Sequence, residues 1–253
     1  MTTPEPMTVK LGGTAGAYTA SLDALAARAR PGWVVVHGGG SDVADWSRRL
    51  GIEPATRDGL RVTDSETLDV AVGVLRGLVN ARIVASLAAA GVRAVGLSGV
   101  DGDLLRAERF DPQLGEVGRI TAVTTGLLDT LANEGYVTVV APIARGPGDA
   151  LLNVNADEVA GAVAAARGGR LVMLTDVPGV MSDGALAPVI STDEAARMLA
   201  AETATGGMRP KLRAATVAAE AGCRVVIADG TDAAATGAAL DGEAVGTAVT
   251  RGG

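Results

Sequence analysis

The chain has 253 residues, 48% of them hydrophobic, which is enough to bury the core of one large domain or of two closely packed lobes. Its formal net charge of -7 and its two Trp, two Tyr and one Phe offer neither the basic surface nor the stacking side chains of nucleic-acid readers, so we expect no nucleic-acid partner. A single cysteine, Cys223, and a single histidine, His37, exclude an internal disulfide, a cysteine-based zinc site and a histidine-cluster metal site.

Strand-like and helix-like segments alternate along the chain. Apolar runs predict strands over residues 7–11, 33–36, 94–97, 137–140, 170–174 and 224–228, and a hairpin of residues 104–110 and 116–121. Helical spacing predicts helices over residues 17–30, 41–50, 65–90 (capped by Thr63 or Asp64), 124–134, 157–167 and 208–221, with a loop-rich stretch at 176–192. Near-continuous Val-rich strands between helices predict a mostly parallel sheet covered on both faces.

Residues 1–6 have neither the basic nor the apolar segment of a signal peptide, and we expect them to form a flexible tail. No stretch approaches 18 consecutive apolar residues, so we expect no membrane-spanning segment. Together these features predict a cytoplasmic protein.

Two glycine clusters, Gly12-Gly13 and Gly38-Gly39-Gly40, follow predicted strands. In an open α/β sheet the ligand crevice lies at the carboxyl ends of strands. Glycine lets the backbone approach an anion closely, and a following helix N-terminus supplies free N–H groups. The clusters therefore predict a phosphate or carboxylate site, although a tight connection alone would also use glycine.

The only two lysines, Lys10 and Lys211, stand near glycine pairs, and arginine supplies every other basic residue. A chain that uses arginine elsewhere indicates a need for a compact ammonium group at these two positions. The P-loop, dinucleotide-binding and protein-kinase signatures are all absent, so phosphate chemistry here would use another layout.

Several short motifs occur in an order that points to one family. They are Val9-Lys10-Leu11-Gly12-Gly13, Val36-His37-Gly38-Gly39-Gly40, Gly59-Leu60-Arg61-Val62-Thr63, Gly96-Leu97-Ser98-Gly99, Asn153-Val154-Asn155-Ala156-Asp157, Leu174-Thr175-Asp176-Val177-Pro178-Gly179-Val180 and Gly206-Gly207-Met208-Arg209-Pro210-Lys211. Together they resemble the N-acetyl-L-glutamate kinases of the amino acid kinase superfamily, over about residues 7–250. Those enzymes phosphorylate the side-chain carboxylate of N-acetyl-L-glutamate with ATP, in arginine biosynthesis.

The resemblance implies a three-layer αβα open sandwich with a mainly parallel central sheet of about eight strands. It implies an N-terminal lobe, residues 7–168, for the acyl amino acid and dimerisation, and a C-terminal lobe, residues 169–253, for ATP. It also implies a homodimer. Arginine-inhibited hexameric members carry an extra N-terminal helix, and since about six residues precede the first predicted strand, we expect a dimer without arginine feedback.

The resemblance also implies roles for single residues. Lys10 and Lys211 would neutralise the transferring phosphoryl group, and Asp157 would orient both lysines. The backbone N–H groups of Gly13 and Gly40 would hold phosphoryl oxygens, while Mg²⁺ would be carried by the ATP phosphates and not by protein ligands. Substrate binding falls to Gly39, Gly40, Arg61 and Asn153, and ATP binding to Lys10, Gly12, Asp176, Val177, Pro178, Gly179, Val180, Met181, Thr203, Ala204, Thr205 and Lys211.

This chemistry needs no general base, because a glutamate-type carboxyl with a pKa of about 4.3 is already ionised at neutral pH. We therefore expect His37 to pack beside the glycine turn. Purely structural roles stay open for three of the candidates: Asp157 could cap the helix that begins there, Arg61 could form a surface pair, and Asn153 could be a turn residue.

Two further functions stay open. One is a kinase for an aminoadipyl or glutamyl group attached to an amino-group carrier protein, since those enzymes are similar in Gly77-Leu78-Val79-Asn80 and in Gly96-Leu97-Ser98-Gly99. The second is a non-catalytic homologue that binds ligands for regulation, although Lys10, Asp157 and Lys211 are all present.

Overall fold

The computed structural model describes residues 5–12, 18–57, 60–182, 184–204 and 206–252, and every structural statement below concerns these residues. The strands are β1 Met7–Leu11, β2 Val34–His37, β3 Thr56–Arg57, β4 Leu60–Arg61, β5 Ala94–Ser98, β6 Leu105–Arg109, β7 Val117–Val123, β8 Val137–Ala141, β9 Ile143–Arg145, β10 Leu151–Val154, β11 Arg170–Thr175, β12 Met181–Ser182, β13 Ala185–Leu186, β14 Val189–Ser191, β15 Arg224–Asp229 and β16 Thr247–Thr250.

The helices are α1 Tyr18–Ala26, α2 Gly40–Arg49, α3 Ser65–Val72, α4 Asn80–Ala89, α5 Gly126–Asn133, α6 Ala156–Arg167, α7 Thr192–Ala200, α8 Met208–Glu220 and α9 Ala233–Asp241. A π-helical segment, Gly73–Val79, joins α3 to α4, and short 3-10 turns lie at Asp101–Asp103 and Pro112–Leu114.

Eight strands form the central sheet in the order β14-β16-β15-β11-β1-β2-β8-β5. All neighbours from β15 to β5 are parallel, while β16 runs antiparallel to β15 and parallel to β14. The residues of β1, β2 and β8 are buried throughout, as expected of a sheet covered on both faces. The predicted αβα sandwich with a mainly parallel sheet of about eight strands is confirmed.

Alternate side chains of the central strands enter two different cores. On β2, Val34 and Val36 pack in the core on the side of α6 and α8, whereas Val35 packs in the core on the side of α1, α4 and α9. This alternation follows from the two-residue period of a strand. It explains why the strands appear in the sequence as unbroken Val-rich runs and not as alternating patterns.

A small closed barrel of four strands, in the order β10-β7-β6-β9, lies beside the main sheet. The predicted hairpin forms the β6–β7 pair of this barrel, with an irregular register between Arg106 and Ala107. The strands β9 and β10 were not predicted, because three or four residues are too few for a periodicity to appear. The strand β10 of this barrel carries Asn153, one of the candidate substrate-binding residues.

The expected loop-rich stretch 176–192 is more ordered than predicted. It contains the hairpin β12–β13 and the edge strand β14. The helix α7 follows directly and was missed, although Ser191 and Glu194 form a capping box at its start that the sequence displays. The last two elements, α9 and β16, were also missed, since Ala-rich segments carry little hydrophobic pattern.

The predicted helix 65–90 is present, but a π-helical segment divides it. Asp64 is its cap, as the side chain accepts a hydrogen bond of 2.8 Å from the backbone N–H of Thr67. The helical run Ser65–Ala89 has the length and composition of a membrane span, and 44% of the residues in its most apolar stretch are buried. A helix that packs on a protein core passes the same test, and α4 packs on β5 and β8.

Candidate active site

Three neighbouring parallel strands end at the same edge of the sheet, and the candidate residues follow those ends. The strand β1 leads into Gly12, β2 into Gly38 and β11 into Asp176. At Gly12 a Cβ atom would lie 2.4 Å from the backbone oxygen of Leu174, so no larger residue fits there. Because β11, β1 and β2 are parallel neighbours, the candidate residues at their carboxyl ends lie along one edge of the sheet, where open α/β sheets bind ligands.

A buried cluster of three charged residues lies at this edge: Lys10, Asp157 and Lys211. The Lys10 Nζ atom is 2.9 Å from Asp157 Oδ1, and the Lys211 Nζ atom is 3.4 Å from Asp157 Oδ2. Lys211 Nζ also donates to the backbone oxygen of Gly207 at 3.2 Å. The exposed fractions of the three residues are only 5%, 5% and 8%. The fold thus brings together both lysines and the carboxylate expected to orient them.

Asp157 is free for this contact because another residue caps its helix. The side chain of Asn155 accepts hydrogen bonds from the backbone N–H groups of Asp157 and Glu158, at 2.8 and 3.3 Å. The alternative that Asp157 is the helix cap is therefore wrong. As the second residue of α6, Asp157 is also stabilised by the positive end of the helix dipole.

The cluster holds two ammonium groups and one carboxylate, so one positive charge has no counter-charge within it. The pKa of Lys211 is lowered, mainly by burial and further by the charge of Lys10, while Asp157 and Asp176 oppose the shift. Excess positive charge in a dry site attracts an anion, because little solvent is present to screen it.

The lowered pKa of Lys211 predicts a pH dependence. Any activity that requires the charged form of Lys211 should therefore fall at alkaline pH, with a midpoint below the ordinary lysine value of 10.5. Since the unfolded chain keeps this proton to higher pH than the folded chain, the contribution of Lys211 to stability should increase with pH between the two values. Kinetics and urea unfolding across pH 7 to about 11 test the fall in activity and the gain in stability. An activity midpoint at or above 10.5 would contradict the first of these expectations.

A cavity of about 280 Å³ opens on one side of the cluster. Lys10 and Asp157 line it, together with Gly38, Gly39, Gly40, Arg61 and Asn153. The expected substrate residues therefore share one cavity. Asn155, whose amide caps α6, also lines it, and we had not predicted it as a site residue.

Arg61 and Asn153 both line this first cavity. Arg61 ends the hairpin β3–β4, and its Nη2 atom donates to the backbone oxygen of Gly40 at 2.6 Å. Its Nη1 atom is buried without a hydrogen-bond partner among the described residues. The amide nitrogen of Asn153 donates to Thr63 Oγ1 at 3.3 Å. The guanidinium therefore has an N–H group at this cavity that is available to an acceptor on a ligand.

A second cavity, of about 410 Å³, opens on the other side of the cluster. Lys211 lines it with most of the residues expected to bind ATP, namely Asp176, Val177, Gly179, Val180, Met181, Thr203 and Ala204. Pro178 lies in the same turn but is exposed and does not line the cavity, and Gly12 lies beside Lys10. Gly13 and Thr205 fall outside the described residues. Met198 and Met208 add apolar walls that we had not predicted.

His37 lines neither cavity. It is fully buried, burial lowers its pKa to about 4, and its Nδ1 atom lies 2.7 Å from the backbone oxygen of Gly38. The residue therefore packs beside the glycine turn, as expected, and is neutral at physiological pH.

Comparison with known proteins places this geometry in a family. The profile of the amino acid kinase family matches residues 7–229. The chain is 48% identical over 206 residues to an acetylglutamate kinase of Methanopyrus kandleri, covering 77% of this chain and 84% of that protein. It is 45% identical over 248 residues to an acetylglutamate kinase of Solibacter usitatus, covering 94% and 96%.

A solved structure has the same fold. The crystal structure of smu.665 from Streptococcus mutans UA159 superposes with a TM-score of 0.79 at 25% identity, covering 96% of this chain and 98% of that one. With a profile match over most of its length and relatives of 45–48% identity, the chain belongs to the amino acid kinase family.

Proposed function

We propose that the protein transfers the γ-phosphoryl group of ATP to the side-chain carboxylate of N-acetyl-L-glutamate, in arginine biosynthesis. One observation carries the proposal: the charged cluster lies at the border of two cavities, with Lys10 and Asp157 lining the first and Lys211 lining the second. A phosphoryl group that passes between the cavities would pass both ammonium groups. The curated relatives named acetylglutamate kinase support the same substrate pair.

The two cavities are lined by different parts of the chain, which supports a division into two lobes. The first is lined by residues between 10 and 157, and the second by residues between 175 and 211. We assign the acyl amino acid to the first, in an N-terminal lobe of residues 7–168, and ATP to the second, in a C-terminal lobe of residues 169–253. Because Lys10 belongs to the first cavity and Lys211 to the second, each lobe contributes one lysine to the transfer.

The mechanism we infer relies on position and charge. The acceptor carboxylate is already ionised, so the site must hold two anions in line and stabilise the charge on the phosphoryl oxygens. Lys10 and Lys211 supply that charge, and Asp157 fixes both ammonium groups. The backbone N–H of Gly40, at the start of α2, would donate to an oxygen in the first cavity.

Mg²⁺ fits this site as a companion of ATP. No group of three or more His, Cys, Asp or Glu side chains able to hold a metal occurs among the described residues. Mg²⁺ in kinases keeps several waters and is held mainly by substrate phosphates, with one or two carboxylates. Asp176 lines the second cavity and is the carboxylate that could contact it, and the ion would neutralise charge on the ATP phosphates.

At the substrate end, we expect Arg61 to bind the α-carboxylate of N-acetyl-L-glutamate. Replacing Arg61 by alanine should raise the KM for this substrate by about 10- to 100-fold, the worth of a charged hydrogen-bond pair, and leave the KM for ATP unchanged. Arg57 provides the matched control, because it lies on the same hairpin but does not line the cavity. Equal effects of Arg57→Ala and Arg61→Ala on the KM would contradict the assignment.

Trapping the acyl phosphate with hydroxylamine tests the function itself. The assay compares N-acetyl-L-glutamate with glutamate, aspartate and N-acetyl-aminoadipate in the presence of Mg-ATP. Hydroxamate formed selectively from N-acetyl-L-glutamate supports the proposal. If every free acid gives none, the substrate is a carrier-bound aminoadipyl or glutamyl group, or the protein has lost catalysis, and the proposal is wrong.

We further propose that the protein works in the cytoplasm as a homodimer. Gly73, Gly77, Ala81 and Ala85 form an exposed face of small residues along the long helical run, and a Cβ atom at Gly73 or Gly77 would contact nothing within 4 Å. The helical run packs on β5, the edge strand of the sheet, and small side chains on its exposed face allow a second copy to approach closely.

Sedimentation tests the dimer. The wild-type chain should sediment at twice its mass of 25.1 kDa, and Gly77→Glu should sediment as a monomer, because a charged side chain would be forced between the two helices. Gly126→Glu is the control, since Gly126 is equally open but lies at the start of α5, away from this face. A dimer that persists in Gly77→Glu would place the interface elsewhere.

A further inference from the structure

A buried pair of polar side chains lies directly behind the glycine loop Gly38–Gly40. His37 and Asn80 are 0% and 1% exposed, and neither lines a substrate cavity. Buried polar groups require partners, because an unpaired one loses its hydration without compensation. The transfer mechanism gives neither residue a task, so their contacts are informative.

The contacts of Asn80 decide how the proton of His37 is placed. The Asn80 Nδ2 atom lies 3.0 Å from the backbone oxygen of Val139, 3.4 Å from that of Leu97 and 3.2 Å from His37 Nε2. Two carbonyl neighbours assign this atom as the donating nitrogen of the amide. His37 Nε2 is therefore the acceptor in its pair, and the ring proton is on Nδ1.

With the proton on Nδ1, His37 donates to the backbone oxygen of Gly38 at 2.7 Å. In a trans peptide the C=O and N–H groups point in opposite directions, so holding the Gly38 oxygen also fixes the direction of the Gly39 N–H. The other side of Gly38 is tied as well, since its N–H donates to the backbone oxygen of Leu11 at 3.1 Å. Gly38, the first residue of the loop, is therefore held by hydrogen bonds at both its N–H and its C=O group.

The π-helical segment explains how two residues of one helical run contact the chain at and beside the glycine loop. The backbone N–H of Asn80 donates to the oxygen of Leu75, five residues earlier, which is the hydrogen bond that defines a π turn. Asn80 contacts His37, while Leu75 packs on Gly39, where an added Cβ would lie only 2.7 Å from Leu75 Cδ2. The π turn thus places Asn80 against His37, the last residue of β2, and Leu75 against Gly39 in the loop that follows.

We propose that Asn80 acts through His37 as a positioning residue, which holds the Gly38–Gly40 loop with its N–H groups directed to the transferring phosphoryl group and the substrate. The pair does not touch the reactants. The expected effect of this pair on catalysis rests on the proposed function, because the loop lines the cavity assigned to N-acetyl-L-glutamate. The π-helical segment is then part of the active-site scaffold, since it supplies both contacts.

Two substitutions of His37 separate the two ring nitrogens. Asparagine can place an amide N–H near the position of Nδ1, whereas glutamine reaches the position of Nε2 and loses the donor to Gly38. We expect His37→Gln and Asn80→Leu to lower kcat by about 10- to 100-fold, the cost of misplacing phosphoryl-binding donors, with little change in the affinity for ATP. His37→Asn should keep kcat near the wild-type value.

The control is Cys223→Ala, which removes another buried polar contact, the hydrogen bond from Cys223 Sγ to the backbone oxygen of Ala164. Cys223 precedes the amino end of β15, so it lies away from the carboxyl ends of the strands, where the glycine loop is. It should change the melting temperature and leave kcat unchanged. If His37→Gln and Asn80→Leu keep wild-type kcat, or if His37→Asn loses as much as His37→Gln, the inference is wrong.

Hydrogen exchange of the segment 37–40, measured without substrate, completes the test. Faster exchange in His37→Gln and in Asn80→Leu than in His37→Asn supports the inference, and equal exchange in all three overturns it. A wild-type protein that gives no hydroxamate with N-acetyl-L-glutamate refutes the proposed function, whereas an active wild type with unaffected variants refutes only the positioning role.

Discussion

Replacing Lys10 or Lys211 by alanine should lower kcat by about 10³-fold, the lower end of what a charge on a transferring phosphoryl group is worth. The affinity for each substrate should change much less, because these ammonium groups act where charge develops during transfer. Steady-state kinetics with N-acetyl-L-glutamate and ATP measure both quantities. A variant that retains near-normal turnover would show that its lysine is not part of the phosphoryl clamp.

Both variants should remain folded. Removing one lysine leaves Asp157 paired with the other, so the buried cluster becomes neutral and no charge is left alone. The double variant, in contrast, leaves the Asp157 carboxylate buried without a cation and should unfold at much lower urea concentration. Arg213→Ala is the matched control, because it removes an exposed cation from the same helix as Lys211 and lines neither cavity.

Asp157→Asn should damage both stability and activity. The variant leaves two buried ammonium groups near each other with no carboxylate between them, and breaking a buried ion pair in this way costs about 3–5 kcal/mol. Lys211 would also lose the interaction that raises its pKa, so more of it would be neutral at a given pH. Turnover should therefore fall most at alkaline pH, where the remaining charge on Lys211 is lost first.

Urea unfolding and a kcat/KM profile against pH check the two effects. Glu158→Gln is the neighbouring control, since Glu158 contacts the backbone N–H of Ile120 and lines neither cavity. A glutamine oxygen can accept the same hydrogen bond, so this variant should stay active and close to wild-type stability. If Asp157→Asn unfolds at the same urea concentration as Glu158→Gln and keeps its turnover, the three-residue cluster has no electrostatic role.

The elements that the sequence predicted share a physical signature. Strands such as β1, β2 and β11 are buried on both faces and so appear as apolar runs. The missed strands, β3, β4, β9, β10, β12, β13, β14 and β16, have two to four residues, and the missed helix α9 is Ala-rich. The helix α7 was missed despite its capping box, because no element was predicted between residue 192 and the helix that begins at 208.

The residues of the site could also be predicted from the sequence, whereas their arrangement could not. Local motifs identify Lys10, Asp157, Lys211, Arg61 and Asn153 as candidates, because glycine turns and the order of the motifs are visible along the chain. Their separation into two cavities with a shared charged border is not visible there, because it depends on which strands are neighbours. The π turn at Gly73–Val79 was hidden as well, since a helical pattern does not reveal one extra residue per turn.

Fold class, the glycine-lined edge of the sheet and membership of a kinase family could all be inferred from residue order alone. These depend on local conformational preference, on burial of apolar runs and on residue order, all of which a linear chain carries. Folding in three dimensions makes Asn155 and not Asp157 the cap of α6, which leaves the carboxylate to both lysines, and it brings the His37 ring to the backbone oxygen of Gly38. Such choices depend on the contacts between distant segments, and those contacts exist only once the sheet has assembled.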